Sequence, residues 1–233
     1  VSGGGGSSPG TRDGNFGYAS AVDAALIVFY NLFVPPVSDD KATNAINVIK
    51  DQMGQVSLAL HRLESLGGVG QKKKGVVLYN LIGDGDAFPP DRMTDLCRGL
   101  HPGLECRRIH HYHNATESVT LRSLHDFCHS QHVKDANHTR VVYLHSKGSY
   151  HDHGKQRPWR RELTSSALHP SCLSPPDRRC EVCGAQYYTI FASMFPGNMW
   201  TAKCSYIKRL LRPIEGGEYE RRREEVMEKF FLL

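Results

Sequence analysis

Two short segments carry residue types suited to binding a charged ligand. The first, residues 140–148, has the composition of a buried strand that presents His145 and Lys147 at its carboxyl end. The second, residues 195–200, places an amide and an indole after a Pro-Gly break. In an open α/β sheet, ligands bind outside the carboxyl ends of the strands. A cation, a glycine turn, an amide and an aromatic ring at that edge suit an anionic ligand that carries a sugar.

The first segment suggests cleavage of a sugar–phosphate bond. The departing diphosphate gains negative charge, which a divalent cation or fixed positive groups must neutralise. Lys147 and Arg160 are the candidate fixed cations, and His145 is a candidate hydrogen-bonding partner. The structural alternative is a strand end with a solvated lysine and a satisfied histidine, and the tetrapeptide His145–Gly148 by itself favours that alternative.

The second segment supplies contacts suited to a sugar. Gly197 lets a ligand approach the backbone, Asn198 offers a donor and an acceptor, and the Trp200 indole can stack on the apolar face of a sugar ring. Its alternative is a β-turn beside a core tryptophan. The two segments together favour a nucleotide-sugar enzyme.

Two other groups of residues have the composition of metal sites. Asp84 and Asp86 can share one hard cation, Mn²⁺ or Mg²⁺, although Gly-Asp-Gly-Asp is also an ordinary turn composition. Cys180 and Cys183, with Cys172 upstream, fit a zinc site, a disulfide or free thiols. Several histidines complete the set of candidate ligands. They are His110, His111, His113, His125, His129, His132, His151 and His153.

Composition restricts the function classes. The chain has 233 residues, 39% hydrophobic content and a net charge of +5. This length supports one substantial domain, and no apolar run reaches the length of a membrane span. The sequence has no basic stripe with interleaved aromatics, which argues against nucleic-acid binding. It also lacks a Ser–His–Asp arrangement, a P-loop and a GxGxxG fingerprint, which removes several common enzyme classes.

The cysteines and two glycosylation sequons bear on the compartment. Asn114 and Asn137 each begin an Asn-X-Thr sequon, which favours the secretory lumen, for example the Golgi, and leaves a cytoplasmic location open. In a lumen, an odd count of seven cysteines leaves at least one thiol free. We expect some of Cys172, Cys180, Cys183 and Cys204 to be disulfide-bonded, with a connectivity that the sequence does not define.

Strands that alternate with helices predict an α/β sheet with parallel pairings. The predicted strands cover 24–30, 75–82, 106–112, 140–144 and 187–194. The predicted helices cover 42–63, 91–100, 117–132, 159–167 and 200–211. An irregular excursion rich in Cys, His and Pro spans 149–183.

These elements predict three regions. They are a flexible Gly/Ser-rich linker or stem at 1–18, one α/β domain at 19–215, and a charged, truncated helix at 216–233. The first residue is Val1 and a glycine run follows, so we expect a fragment whose signal peptide or membrane anchor lies upstream.

Taken together, the segments resemble glycosyltransferase-like proteins of the GT-A, nucleotide-diphospho-sugar transferase type, and more distantly the bacterial rhamnan-synthesis proteins. Relatives show a strand ending in His-Thr-Lys-Gly, a downstream Trp-Arg, and a Ser-Gly-Asn-Phe-Trp-Trp-Ala segment before a Tyr-Ile helix. The matching positions are His145, Lys147, Gly148, Trp159, Arg160, Gly197, Asn198, Trp200, Ala202, Tyr206 and Ile207. The resemblance covers about residues 24–211. Pro196, Met199 and Thr201 depart from it, which thins any stacking platform.

The resemblance implies a GT-A-like (Rossmann-like), mostly parallel sheet flanked by helices. It implies transfer of a sugar from a nucleotide-sugar donor to a glycan or glycoprotein acceptor. Lys147 and Arg160 would neutralise the diphosphate with little or no metal, because the strand ending at His145 takes the place of the usual metal-binding carboxylates.

An inverting reaction would also need a base, for which Asp177 and Glu181 lie in the excursion. Two alternatives remain open at this stage. One is a non-catalytic carbohydrate- or nucleotide-binding module of the same fold, and the other is a zinc-organised interaction domain.

Overall fold

The computed structural model describes residues 18–36, 41–66, 72–146, 156–186 and 197–213, together with residues 221, 224, 225 and 228. Within the continuous described ranges, a short 3-10 turn at Tyr18–Ser20 is followed by six strands and six helices. The strands are β1 Leu26–Val34, β2 Gly75–Gly83, β3 Leu104–Tyr112, β4 Arg140–His145, β5 Val182–Gly184 and β6 Trp200–Lys203. The helices are α1 Lys41–Leu66, α2 Pro90–Leu100, α3 Ser118–His129, α4 Gln156–Ala167, α5 Pro170–Leu173 and α6 Cys204–Ile207. None of the helices in these ranges combines the length and apolarity needed to cross a bilayer.

The six strands form one mixed sheet in the order β3-β2-β1-β4-β6-β5. β1 pairs in parallel with β2 and with β4, and β2 pairs in parallel with β3. β6 runs antiparallel to both β4 and β5. The predicted α/β class with a parallel core is therefore confirmed.

Helices cover both faces of this sheet, which explains why β1 is buried along almost its whole length. Val28, Tyr30 and Leu32 pack in the core cluster that contains α1 and α2 residues. Ile27 and Phe29 face the other cluster, which contains α3 and α6 residues. Successive strand side chains point to opposite faces, so a central strand covered on both sides reads as an unbroken apolar run.

One predicted element is wrong. Residues 200–211 were expected to form a helix, whereas Trp200–Lys203 is a strand and the helix that follows covers only Cys204–Ile207. Trp200 and Ala202 face one core cluster while Thr201 and Lys203 face the opposite side, an alternation of period two. Backbone hydrogen bonds to β4 stabilise residues 200–203 as a strand. The strand predicted at 187–194 lies outside the described residues.

The cysteines form three disulfides, Cys97–Cys106, Cys128–Cys204 and Cys172–Cys183, and Cys180 is a free thiol. The expectation of disulfides with a thiol left over is confirmed. Of the alternatives left open for Cys172, Cys180 and Cys183, the structure has the disulfide and a free thiol rather than a zinc site, because a sulfur bonded to another sulfur has no thiolate to offer a metal. The zinc-organised interaction domain loses its basis with it.

Candidate functional site

The strand order reverses between β1 and β4, and this reversal locates the candidate site. The chain adds β2 and β3 on one side of β1, then returns so that β4 lies on the other side. Ligands of open α/β sheets bind outside the carboxyl ends of the strands at such a point. Ser146 links the two strand ends there, since its amide donates to the Asn31 carbonyl (3.0 Å) and its hydroxyl accepts from the Phe33 amide (2.9 Å). The end of β4 is thereby fixed against β1.

His145, the last residue of β4, contacts the backbone of the second candidate segment. Its Nε2 lies 2.6 Å from the Gly197 carbonyl oxygen. A carbonyl oxygen only accepts, so Nε2 carries the proton. The His145 carbonyl accepts at 3.0 Å from the buried Gln52 amide, whose Oε1 accepts from the Tyr30 hydroxyl. The structure therefore brings His145 and Gly197 together. Hydrogen bonds fix both the ring and the backbone carbonyl of His145.

The turn before β6 positions the predicted amide and indole. Gly197 and Asn198 adopt positive φ angles of 79° and 50°, a region that glycine and asparagine tolerate best. The Asn198 amide donates to Glu117 Oε2 (3.1 Å) and accepts from the Trp200 indole (3.1 Å), whose ring packs 5.4 Å from that of Tyr143. These polar groups are engaged within the protein. Their contact with a sugar remains a prediction, and their observed role is to position Glu117.

Glu117 is the site residue that sequence reasoning missed. It immediately precedes α3, where the helix dipole favours an anion, and its Oε2 accepts from both the Tyr143 hydroxyl (3.0 Å) and Asn198. Burial, with the Glu117 carboxylate, raises the pKa of Tyr143 well above its usual range, so the phenol stays protonated as a donor. A glutamate at a helix start looks like ordinary capping in the sequence. Only the tertiary contacts reveal a carboxylate held in a fixed orientation.

A cavity of about 430 Å³ opens at the carboxyl ends of β1, β2 and β3. It is lined by Phe33, Val34, Pro35, Pro36, Gly83, Asp84, Gly85, Asp86, His111 and His113. Phe33 belongs both to this cavity and, through its amide, to the contact with Ser146. The cavity therefore adjoins the β1–β4 crevice.

The predicted acidic pair lies in this cavity wall, in two different roles. Asp84 Oδ1 accepts from the amides of Asp86 (2.9 Å) and Ala87 (3.2 Å), which makes it the side chain of an Asx turn. The Asp86 side chain is exposed at the cavity. His111 Nε2 lies 2.9 Å from the Gly83 carbonyl oxygen and fixes the turn from the β3 side. Of the two aspartates, Asp84 stabilises the turn and Asp86 is therefore the better candidate for contact with a ligand.

The predicted Trp159 and Arg160 lie on α4, against the α1 side of the sheet. Trp159 is half-buried and packs on the core, so its ring serves the structure. Arg160 is only 3% exposed, and its charge acts on the buried Tyr30 hydroxyl next to Gln52. Thr164, one turn further along α4, accepts from the same Gln52 amide that binds the His145 carbonyl. Arg160 is therefore a buried cation below the end of β4.

The structure does not bring the predicted bases Asp177 and Glu181 to this edge. Lys203 pairs with Arg140 at the amino end of β4, and its amide donates to the Glu181 carbonyl. That end lies roughly 16 Å along the strand from His145. Both carboxylates also form ion pairs, Asp177 with Arg179 and Glu181 with Arg209. The predicted Lys147 and Gly148 lie outside the described residues.

Comparison with known proteins gives the family of the chain. A domain of unknown function, DUF8361, matches residues 29–232. The chain belongs to the DUF8361 family. No curated protein and no solved structure matches it. The match contains every strand of the sheet except the first three residues of β1, and it contains Glu117, His145 and Asn198.

The DUF8361 domain has one further cluster of metal-ligand type. Within the described ranges, the one group of three or more such side chains is His61, Glu64 and His101, at the opposite edge of the sheet. The Gly103 amide donates to His101 Nδ1 (2.9 Å), so the proton is on Nε2, which lies 3.2 Å from Glu64 Oε2. A metal-bound histidine donates through its other ring nitrogen, and Gly103 prevents this. The cluster is a hydrogen-bonded link between α1 and α2.

Replacing Gly197 by Ala tests whether this turn is a strict requirement of the DUF8361 domain. A Cβ at Gly197 would collide with the Leu163 side chain, and the positive φ is strained for alanine. We expect a loss of about 2–4 kcal/mol in the free energy of unfolding, measured by urea denaturation. Gly99→Ala, in an α2 position with open space, is the control and should stabilise by about 0.5–1 kcal/mol. Equal effects of the two substitutions would contradict the assignment.

Proposed function

We propose that this DUF8361 protein is a GT-A-like glycosyltransferase that moves a sugar from a nucleotide-sugar donor to a hydroxyl of a glycan or protein acceptor. One observation carries the proposal. At the carboxyl edge of the sheet, a cavity with the exposed Asp86 carboxylate adjoins the β1–β4 crevice. The turn that His145 contacts at Gly197 also holds the Glu117 carboxylate, through Asn198. The resemblance carried by His145, Arg160, Gly197 and Asn198 supports a donor site at the same crevice.

The nucleoside of the donor would occupy the cavity next to β1. Pro35, Pro36 and His111 offer flat surfaces for a base and a ribose, and a cavity of about 430 Å³ falls in the usual range of small-molecule sites. The Asp86 carboxylate can accept hydrogen bonds from ribose hydroxyls. Asp84 supports this arrangement by holding the turn that carries Asp86.

The diphosphate would then extend across the crevice towards the end of β4. Arg160 supplies a positive charge from below, in a low-dielectric surrounding where charge interactions are strong. His145 fixes the backbone of Gly197 on the far side. Lys147 would supply a second positive charge to the diphosphate, which stays a prediction from the sequence.

Glu117 would act as the base of an inverting transfer. The acceptor oxygen forms a bond to the anomeric carbon, the bond between that carbon and the diphosphate oxygen breaks, and the nucleoside diphosphate leaves with the electron pair. The proton of the acceptor hydroxyl passes to the Glu117 carboxylate. Tyr143 and Asn198 hold Oε2, and no described residue donates to Oε1, so Oε1 is the oxygen that would face the acceptor.

The disulfides support a secretory compartment as part of the proposal. Three disulfides persist in an oxidising lumen and are rare in a reducing cytosol. Glycan synthesis in the Golgi fits both this chemistry and the two sequons.

A thermal-shift screen of nucleotides and sugar nucleotides, each with manganese or with EDTA, tests the donor site. A donor present at about a hundred times its Kd should raise Tm by about 5–10 °C, because it binds only the folded state. Asp86→Asn should reduce this shift, and Asp95→Asn on α2, an equal charge change outside the cavity, should not. A shift that survives EDTA assigns diphosphate neutralisation to the protein cations. A shift that needs manganese assigns it to a metal held at Asp84 and Asp86.

A turnover assay with the donor that gives the largest thermal shift separates the proposal from a non-catalytic module. A module of the same fold would show the shift without turnover of any acceptor. A well-folded protein with no shift from any nucleotide would contradict the donor site itself.

A further inference from the structure

A second cavity, also about 430 Å³, lies at the opposite edge of the sheet, at the amino end of β4. Its wall combines Arg140 and Lys203 from the sheet with the segment that follows α5, including Ser174, Pro175 and Arg178. The Cys172–Cys183 disulfide closes that segment into a loop over the strand end. The cavity is therefore built from covalently fixed parts of the fold.

Two like charges face each other in this cavity. Arg140 on β4 is the register partner of Lys203 on β6, so both side chains lie on one face of the antiparallel pair. Directly opposed like charges destabilise a sheet. Arg178 adds a third cation to the same wall. The arrangement costs stability, which a bound anion would recover.

These cations are satisfied by carbonyl groups rather than by carboxylates. The Arg140 guanidinium donates to the carbonyls of Cys172 (3.4 Å) and Cys180, and the Lys203 ammonium donates to the Arg178 carbonyl. Among the ion pairs between described residues, none includes Arg140, Arg178 or Lys203. A carbonyl oxygen carries no net charge, so the positive charge of the cavity remains.

Two carboxylates near the cavity form ion pairs with other arginines, Asp177 with Arg179 and Glu181 with Arg209. A third, Asp135, lies 2.7 Å from the His138 ring nitrogen Nδ1. Lys203 lies close enough to help lower the pKa of the Asp177 and Glu181 carboxyls, after their arginine partners. The neighbourhood is thus cationic overall, and Arg140, Arg178 and Lys203 are the cations that form no ion pair with a described carboxylate.

The rest of the wall suits a sugar. Asn137 and Ser174 offer neutral donors and acceptors for hydroxyl groups, and Leu173 and Pro175 offer an apolar surface. We infer that this cavity binds an anionic saccharide, a sugar that bears a sulfate, phosphate or carboxylate group, with the anion held by Arg140, Lys203 and Arg178. It lies roughly 16 Å along β4 from His145 and binds independently of the donor crevice.

Ligand-observed NMR titration of the full chain tests the inference with glucose 6-sulfate, glucose 6-phosphate, glucuronate, glucose and inorganic sulfate as probes. At least one charged sugar should bind with a Kd about tenfold or more below those of glucose and inorganic sulfate, because charged and neutral contacts act together. The probe with the lowest Kd identifies the anion. Raising the salt concentration should weaken that binding by screening.

Three variants make the result specific to the cavity. Arg178→Gln and Lys203→Met should each raise the Kd of the best probe by about tenfold, the effect of one charge-assisted hydrogen bond. Arg98→Gln, an exposed arginine on α2, is the matched control and should change it less than about twofold, because salt screens exposed charges that lie beyond a Debye length. Arg178 contributes only its backbone carbonyl to the fold, so its substitution leaves the structural bonds intact.

The opposite results would overturn the inference. Charged sugars that bind no more tightly than glucose would exclude an anion site. Inorganic sulfate that binds as tightly as the charged sugars would show a general ion site without sugar recognition. Equal losses in Arg178→Gln and Arg98→Gln would show long-range attraction to the basic chain. Donor-induced thermal shifts are read separately, so this inference and the proposed transferase function can fail independently.

Discussion

Replacing Glu117 by Gln is expected to lower kcat for sugar transfer by about 10²–10⁴-fold, the usual contribution of general-base catalysis. Glutamine keeps the size of the side chain and can still accept from the Tyr143 hydroxyl, but it cannot take the proton of the acceptor hydroxyl. The thermal shift produced by the donor should stay at the wild-type value, because the substitution lies outside the nucleoside cavity. Turnover and thermal shift measured on the same preparation check both statements.

Asp177→Asn and Glu181→Gln provide the matched controls for this experiment. Both carboxylates lie at the amino edge of the sheet and form ion pairs on the surface, so their loss should leave kcat within about twofold. Tyr143→Phe should give an intermediate loss, since one of the two hydrogen bonds that orient Glu117 remains. Full turnover in Glu117→Gln together with a large loss in Glu181→Gln would contradict the assignment of the base.

The sequence predicted the sheet because its signals are local. The apolar run at β1, the helical spacing of α1 and the strand ending at His145 each lie within one element, so periodicity alone identifies them. The strand β6 was missed because it has only four residues, and its pairing with β4 is a tertiary contact. Short edge elements depend on their neighbours more than on their own pattern.

The candidate site was predicted in part, for a related reason. His145, Gly197 and Asn198 are adjacent to recognisable strand and turn signals, and the structure brings them together. Glu117 contacts Asn198 across a separation of 81 residues, which no spacing rule reveals. The bases proposed from sequence were chosen for their place in the 149–183 excursion. Both residues lie at the amino end of β4 instead, because Lys203 pairs with Arg140 there and its amide donates to the Glu181 carbonyl.

Disulfide connectivity belongs to the same class of tertiary information. Cys128 lies in α3 and Cys204 at the start of α6, and both are completely buried in the core on one face of the sheet. The bond ties the helix that begins after Glu117 to the segment that follows Trp200 and Asn198. Glu117 precedes α3 and the turn precedes β6, whereas the disulfide joins the far ends of these two elements. The bond therefore helps to hold Glu117 against the turn.

Removing this bond should produce the largest stability loss of the three disulfides. The Cys128→Ala, Cys204→Ala double variant opens a loop of 76 residues, which corresponds to about 4 kcal/mol in the free energy of unfolding by chain entropy. The Cys172–Cys183 bond spans 11 residues, and its removal should cost about 3 kcal/mol. Urea denaturation under oxidising conditions measures both values, and Cys180→Ser, which breaks no disulfide, is the control.

The two disulfides should also differ in their effect on turnover. Loss of Cys128–Cys204 releases α3 from α6, so the orientation of Glu117 relaxes and kcat should fall even at temperatures where the variant is fully folded. Loss of Cys172–Cys183 loosens the segment at the amino edge and should leave kcat nearly unchanged while it weakens binding in the cationic cavity. If both variants lose turnover equally, stability alone explains the effect. If only the first does, the α3–α6 bond supports the geometry of Glu117, the proposed catalytic base.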